Sequence, residues 1–433
     1  MLKKYRWIVL GILAFINVIA YVDRSMLLGF SPHITKDLGL NNTEYGFLVG
    51  AVWVLSFGVM ALFMGSLADR FSRPRIIATG MFIWSFCTAG SGLAENFNQM
   101  VAARFFVASG EAALIPAATA ILADLFDARH RAVANGIFFL GLPLGLGIAF
   151  LLSGTVGAAW GWRTTYIALG VIGIAISLGL SFVKEDRTQQ AGLLGEPFLR
   201  QVKSILHELR MKSVIVLTIG GFILIHFALV ESSFVQLWLV RERGLDVALS
   251  AQRIGLLVVV FGCLGALGGG ILGDWLGPKF KGGRATILAL TVAVCVPLMI
   301  AARLVGAGNP LLYAGLAAGG FLPMSIYGSS LAIIVGGMPH NMRSTTVGFL
   351  MMSMNIVAIA IGSLGAGVIS DRLTAAGHAA PLTTVLLLLD GVVGLSAVLY
   401  LMAARRVART QSAPADTTPS GHVNLQKCRG ETP

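Results

Sequence analysis

Residues 65–75 read Gly-Ser-Leu-Ala-Asp-Arg-Phe-Ser-Arg-Pro-Arg, and residues 270–279 read Gly-Ile-Leu-Gly-Asp-Trp-Leu-Gly-Pro-Lys. Each stretch follows a long apolar run, and each places an acid, Asp69 or Asp274, in the frame Gly-x-Leu-x-Asp, 205 residues apart. A second echo pairs Arg131-x4-Gly136 with Arg343-x4-Gly348, again where the chain enters an apolar run. Chance can supply one such echo. Two in register with the apolar runs mark an internal repeat, and parallel repeats of this kind imply two bundles around a central cavity.

The runs between these loops are too long and too apolar for a soluble core. The chain is 56% hydrophobic and 12% charged, against roughly 45–50% and about 25% in an average soluble domain. About 20 apolar residues at 1.5 Å each cross the hydrocarbon layer. Twelve spans follow, at about 7–30, 44–67, 76–95, 98–123, 132–156, 164–183, 213–240, 251–273, 285–303, 310–337, 344–369 and 383–404. The chain therefore reads as an all-α membrane protein: an N-terminal six-helix bundle over 1–183, a linker over 184–212, and a C-terminal six-helix bundle over 213–404. The linker is expected to carry a short amphipathic helix. A tail rich in Ser, Thr, Pro and Gly, 405–433, is expected to be disordered.

Lys3, Lys4 and Arg6 ahead of an apolar stretch resemble a signal peptide, but the run resumes after Asp23-Arg24 and eleven further spans follow, so it reads as an uncleaved first helix. Lys and Arg total 32. About 23 fall in loops on the N-terminal side, the asymmetry that the positive-inside rule produces. The basic balance thus reflects topology and implies no nucleic-acid partner. The expected location is a cell inner membrane, multi-pass, with both termini cytoplasmic. Cys87, Cys263 and Cys295 lie in apolar runs and Cys428 in the tail, without metal-ligand spacing. No strand precedes the Gly-x-Gly spacings and no P-loop Lys follows. No catalytic constellation, metal site or cofactor is expected, and the chain reads as something other than an enzyme.

Charged residues inside spans carry the functional signal. Such a charge costs at least about 2.5–3.5 kcal/mol at the bilayer centre, so it usually faces a cavity and has a partner. Asp23 and Arg24 lie well inside the first span, and Arg104 and Glu111 lie on the fourth. Seven residues are about two turns, so Arg104 and Glu111 share a face, roughly 10 Å apart along the axis. Asp23 with Arg104 and Arg24 with Glu111 are the two sterically allowed pairings. Buried ion pairs contribute little net stability, which favours a role in function over packing alone. An ionised mid-membrane carboxylate is unfavourable unless a cation stabilises it, so Glu111 is the preferred proton carrier. Arg24 or Arg104 offers a forked, permanently charged donor for an anionic substrate group. On later spans, Glu231 either lines the cavity or sits at the outer surface, and His226 packs. Tyr327, Asn355 and Asp390 are weaker candidates. Trp160, Trp162, Tyr166 and Trp238 read as interfacial anchors. Asp69, Arg70, Arg73 and Asp274 read as an ionic latch between bundles that breaks as the cavity opens inward. Gly141-x3-Gly145, Gly265-x3-Gly269 and Gly269-x3-Gly273 are spacings that allow close helix approach.

The loop from Gly65 to Arg75 resembles the signature between helices two and three of the major facilitator superfamily, departing from it at Ser72 and Pro74. Arg104-x6-Glu111 resembles that superfamily's fourth-helix motif. Tyr21-Val-Asp23-Arg24, Gly110-Glu111-Ala112, Leu122-Ala-Asp124-Leu-Phe126 and Gly141-Leu-Pro143-Leu-Gly145 most resemble its spinster-like branch. The anion–cation symporters share Asp-Arg on helix one and Gly-Glu-Ala on helix four. The resemblance implies the major facilitator fold and links the positions of Asp23 and Glu111 to proton coupling. Spinster-like proteins are associated with lysophospholipid or sphingosine phosphate export in animals; the symporters take up carboxylates and sugar acids. The expected protein is a monomeric, proton-coupled secondary transporter of a small organic anion or an amphipathic, lipid-like anion. A passive scramblase or channel is the alternative, and it leaves the paired carboxylates and the latch without a purpose.

Overall fold

The computed structural model describes residues 5–60, 72–182, 208–210, 212–339 and 342–412. Among these the regular structure is helical throughout. The first half contributes α1 (Arg6–Gly29), α2 (Asn42–Met60), α3 (Arg73–Gly92), α4 (Phe97–Leu125), α5 (Val133–Gly154) and α6 (Val156–Ser181). The second contributes α7 (Ser213–Arg241), α8 (Val247–Lys279), α9 (Arg284–Leu304), α10 (Pro310–Gly336), α11 (Thr345–Ala375) and α12 (Pro381–Arg409). Eleven of these are long and apolar enough to cross a membrane. The exception is α3, whose 20 residues include two arginines and several Gly, Ser and Thr; it packs on α6 with Gly170 against the backbone of Ser85 and Ala89. The last helix continues to Ser412, past its expected end at 404. Residues 413–433 and nearly all of the linker lie outside the described residues.

The repeat is legible in the caps. Chain alternation brings the starts of α2, α4, α8 and α10 to one end of the molecule. Each start lies behind Asn or Asp, whose side chain accepts an otherwise orphaned N–H. Asn41 accepts from Glu44 at 2.7 Å, Asn96 from Gln99 at 3.0 Å, Asp246 from Leu249 at 2.8 Å and Asn309 from Leu311 at 2.9 Å. The other, basic end carries Arg73, Arg75, Lys279, Lys281, Arg284 and Arg343.

Large apolar side chains such as Phe15, Phe86, Leu264, Leu267 and Ile271 are exposed on the helix surfaces, the arrangement a chain surrounded by lipid requires. The small-residue spacings do what was expected of them. Gly141 and Gly145 face Asn17, Val18 and Tyr21 on α1, while Gly265 and Gly269 face the main-chain carbonyls of Phe321 and Ser325 on α10. Across the halves, Gly147 on α5 and Gly255 on α8 meet backbone to backbone. The interfacial-anchor expectation fails for three of four aromatics. Trp160 is exposed, but Trp162, Tyr166 and Trp238 are buried. The indoles of Trp162 and Trp238 donate to Asp37 and Thr383, each at 2.8 Å, so their polar edges are satisfied inside the protein and need no headgroup.

Candidate functional site

The first half builds its site where α4 breaks. The helix stops at Glu111 and resumes at Leu114. Pro116 has no N–H to offer the carbonyl of Ala112, which loosens this turn. Glu111 therefore projects from a discontinuity, and it is only 6% exposed. Its Oε2 accepts from the indole N–H of Trp53 on α2 at 2.9 Å, and Oε1 has no partner. The guanidinium of Arg24 lies 3.5 Å from the centroid of the same indole, a cation–π distance. Arg24 and Glu111 are thus joined through Trp53 rather than by a direct ion pair. Trp53 also stacks on Phe57, centroids 4.4 Å apart. Asn17, Tyr21, Arg24, Trp53, Phe57 and Glu111 line a cleft of about 320 Å³, counting space open to solvent.

The other expected pairing is also indirect. Arg104 donates to the main-chain carbonyls of Asp23 at 3.1 Å and Arg24 at 2.9 Å, not to the Asp23 carboxylate. It clamps α1 by its backbone. Asp23 is fully buried, its carboxyl group beside the Trp84 indole and the Thr88 hydroxyl.

In the second half, His226 sits buried where α7 breaks between Ile225 and Phe227. Its Nδ1 is 2.7 Å from the carbonyl of Phe222, and its Nε2 is 2.9 Å from the hydroxyl of Tyr327. A carbonyl only accepts, so a neutral ring carries its hydrogen on Nδ1 and accepts from Tyr327 at Nε2. Tyr327 and Tyr21 are the electrostatic neighbours of Arg24 from opposite halves. Between the halves lies a narrow, mostly apolar cleft, about 250 Å³ counting space open to solvent, lined by Pro143 and Leu146 on α5, Leu229 on α7, Val258 on α8 and Met324 on α10.

Other expected site residues fall elsewhere. Glu231 neither lines the cavity nor reaches the surface; it is 3% exposed and bound to Arg303 at 2.8 Å. Asn355 bonds the carbonyl of Met351 in its own helix at 2.9 Å and joins no site. Asp69 and Arg70 lie outside the described residues. Arg73 pairs with Asp124, and Asp274 with Arg284 at 2.7 Å, each inside its own half. Trp53 and Arg303 were missed in the sequence. No signal set Trp53 apart, because its span also carries Tyr45, Phe47, Phe57 and Phe63.

Among the described residues, hydrogen bonds between the halves gather at the end opposite the basic one. Arg241 donates to Asn42 Oδ1 at 2.9 Å and to Thr35 Oγ1 at 2.8 Å. Asp371 on α11 accepts from the N–H groups of Asn42 and Thr43 at 3.0 and 2.7 Å, and from the Thr43 hydroxyl at 2.6 Å. Tyr45 donates to the carbonyl of Ser233 at 2.6 Å, and Gln252 to that of Gly154 at 2.6 Å. That end is closed.

The sequence profile of the Major Facilitator Superfamily matches residues 13–363. Protein spinster of Drosophila melanogaster is 27% identical over 71% of this chain, a match spanning about half (52%) of that protein's length. A "Probable L-galactonate transporter" of Escherichia coli is 27% identical over 70% of this chain and 68% of that protein. Among solved structures, a bacterial homolog of the human lysosomal transporter spinster, in an inward-facing and unoccupied conformation, superposes with a TM-score of 0.81. It is 22% identical, and the match covers 95% of this chain and 99% of that one.

Proposed function

The chain belongs to the Major Facilitator Superfamily, as a multi-pass membrane transporter of the spinster type, and from that premise we propose that it carries a small organic anion or an amphipathic, lipid-like anion together with a proton, by alternating access. The observation that carries this reading is the Arg24–Trp53–Glu111 assembly in the cleft. Arg24 holds a forked cation between Glu111 and the tyrosines of both halves. An incoming carboxylate or phosphate competes with Glu111 for that cation. Both anions fit the dry site together only when Glu111 takes up a proton, because an uncompensated charge is unfavourable there. Substrate and proton then enter the site as a pair, which is symport. Asp23, buried beside Trp84, Thr88 and Arg104, is the second proton-handling group. The neighbouring, mostly apolar cleft suits a hydrophobic portion of the solute, and the Escherichia coli relative is named for a sugar acid.

Positive-inside charge puts the basic end, and with it both termini, in the cytoplasm of an inner-membrane protein that works as a monomer. With the basic end cytoplasmic, closure of the other end supports an inward-facing reading of this conformation. Asp69, Arg70, Arg73 and Asp274 are assigned to a latch that forms at the cytoplasmic end in the opposite state; Asp274 pairs with Arg284 within its own half here.

The test uses proteoliposomes with an imposed pH gradient. Sugar acids and lysophospholipids are first screened by thermal shift on purified protein, and the best stabiliser is the transported probe. Glu111→Gln is nearly isosteric but cannot cycle between charge states. It is expected to abolish gradient-driven accumulation while retaining the thermal shift. Accumulation by the variant at the wild-type level removes Glu111 as the carrier.

A further inference from the structure

Glu231 on α7, Arg303 near the end of α9 and Asp390 on α12 form a buried group that the proposed transport cycle does not use. Arg303 donates from Nη2 to Glu231 Oε2 at 2.8 Å and from Nε to Asp390 Oδ2 at 3.2 Å. The three residues are 3%, 4% and 0% exposed in chain order. One guanidinium faces two carboxyl groups, and the two carboxyl groups lie in contact with each other. Three polar atoms of the group have no partner: Glu231 Oε1, Asp390 Oδ1 and Arg303 Nη1.

The surrounding charges do not balance the second acid. Arg243 donates to the main-chain carbonyl of Arg303 and lies over the ring of Trp238, 5.0 Å from its centroid. Arg303 lies over that ring at the same distance. Glu242 is turned to the start of α12, accepting from the N–H groups of Leu382 and Thr383 at 2.6 and 2.8 Å. Asp371 on α11 is taken up by Asn42 and Thr43. His226, on α7 itself, is held by Phe222 and Tyr327. Arg303 is the cation that acts on both acids. A purely structural ion pair requires one carboxylate. The second, touching the first, carries an excess negative charge that a dry site does not tolerate, and two adjacent acids of this kind titrate as a unit.

We propose that Glu231 and Asp390 hold one proton between them, making this triad a second proton-binding site, in the C-terminal half and distinct from Asp23 and Glu111. Its position ties it to the closed end. Ser233, two residues past Glu231, accepts from Tyr45 of the other half, and Arg241 on the same helix reaches Asn42 and Thr35. Parting the halves there frees α7 of these contacts and lets water approach the triad. The shared proton exchanges at that side.

Infrared spectra of the purified protein in lipid, compared in H₂O and D₂O, read protonated carboxyl groups through their C=O stretch. Glu231→Gln or Asp390→Asn leaves Arg303 with one anion and no need of a proton. Each single variant is therefore expected to lose the band of one carboxylic acid, and the double variant to lose no more than that. The same losses are expected in a Glu111→Gln background, so failure here is separable from failure of the Glu111 reading. Single variants that fold and keep the full wild-type band overturn the proposal, since both acids are then ionised. A band that appears only when sodium is replaced by choline also overturns it, because a metal cation then occupies the proton's place.

Discussion

Asp23 shows how a single side chain separates architecture from chemistry. Its carboxyl group lies beside Trp84 and Thr88, while its main-chain carbonyl holds Arg104. Asp23→Asn therefore keeps the clamp on α1, and we expect the protein to fold and its melting temperature to stay within a few degrees of wild type. Coupling is a different matter, because an amide cannot carry the proton. Gradient-driven accumulation in proteoliposomes is expected to fall by at least tenfold; an unimpaired rate rules out a proton-handling role. The charges at 23, 24, 104 and 111 were legible in the sequence because an intramembrane charge is rare enough to demand a reason. Their partners were not. Trp53 carries no charge and looks like any core aromatic. Arg303 sits at the end of a span, where a cation normally reaches for water, and only the packing of α7 and α12 around it shows that it turns inward.

Among the elements, α2 and α11 make a charged contact between the halves. The first N–H groups of a helix have no intrahelical partner and attract negative charge. Asp371, more than 300 residues away in sequence, supplies that charge to the start of α2. Hydrogen bonds to a charged group contribute about 1.5–3 kcal/mol each, and about 1.4 kcal/mol is tenfold in an equilibrium. Asp371→Asn is thus expected to shift the balance toward opening of this end by roughly tenfold or more. Spin labels at Lys36 and His378, both exposed at that end, are expected to show a longer, better populated distance in the variant. An unchanged distribution removes Asp371 from the closure. Helix positions and the Gly-x3-Gly contacts followed from local pattern, since hydrophobic length and small-residue spacing are properties of one segment. The cap that Asp371 provides follows from no local pattern, because the donor and acceptor belong to different halves.

For the whole molecule, the repeat that first appeared as Asp69 and Asp274 returns as two bundles meeting at a closed end. Sidedness is the property that labelling tests. With Cys87, Cys263, Cys295 and Cys428 replaced by Ser, an impermeant maleimide applied to intact cells is expected to label Lys36→Cys directly. Lys281→Cys is expected to react only after permeabilisation. Labelling of both from one side sinks the cytoplasmic assignment of the basic end. The Asn and Asp caps of α2, α4, α8 and α10 bear on history as well as on geometry. A capping side chain sits within three residues of the N–H it satisfies, so each such helix carries its own start signal, to which Asp371 of the partner bundle adds at α2. A gene segment encoding six helices could thus be copied with its punctuation intact, and the copy would begin its helices correctly before any interface with the original had evolved. Later divergence was then free to act on what meets around Arg24: Glu111 and Tyr21 in one copy, Tyr327 in the other.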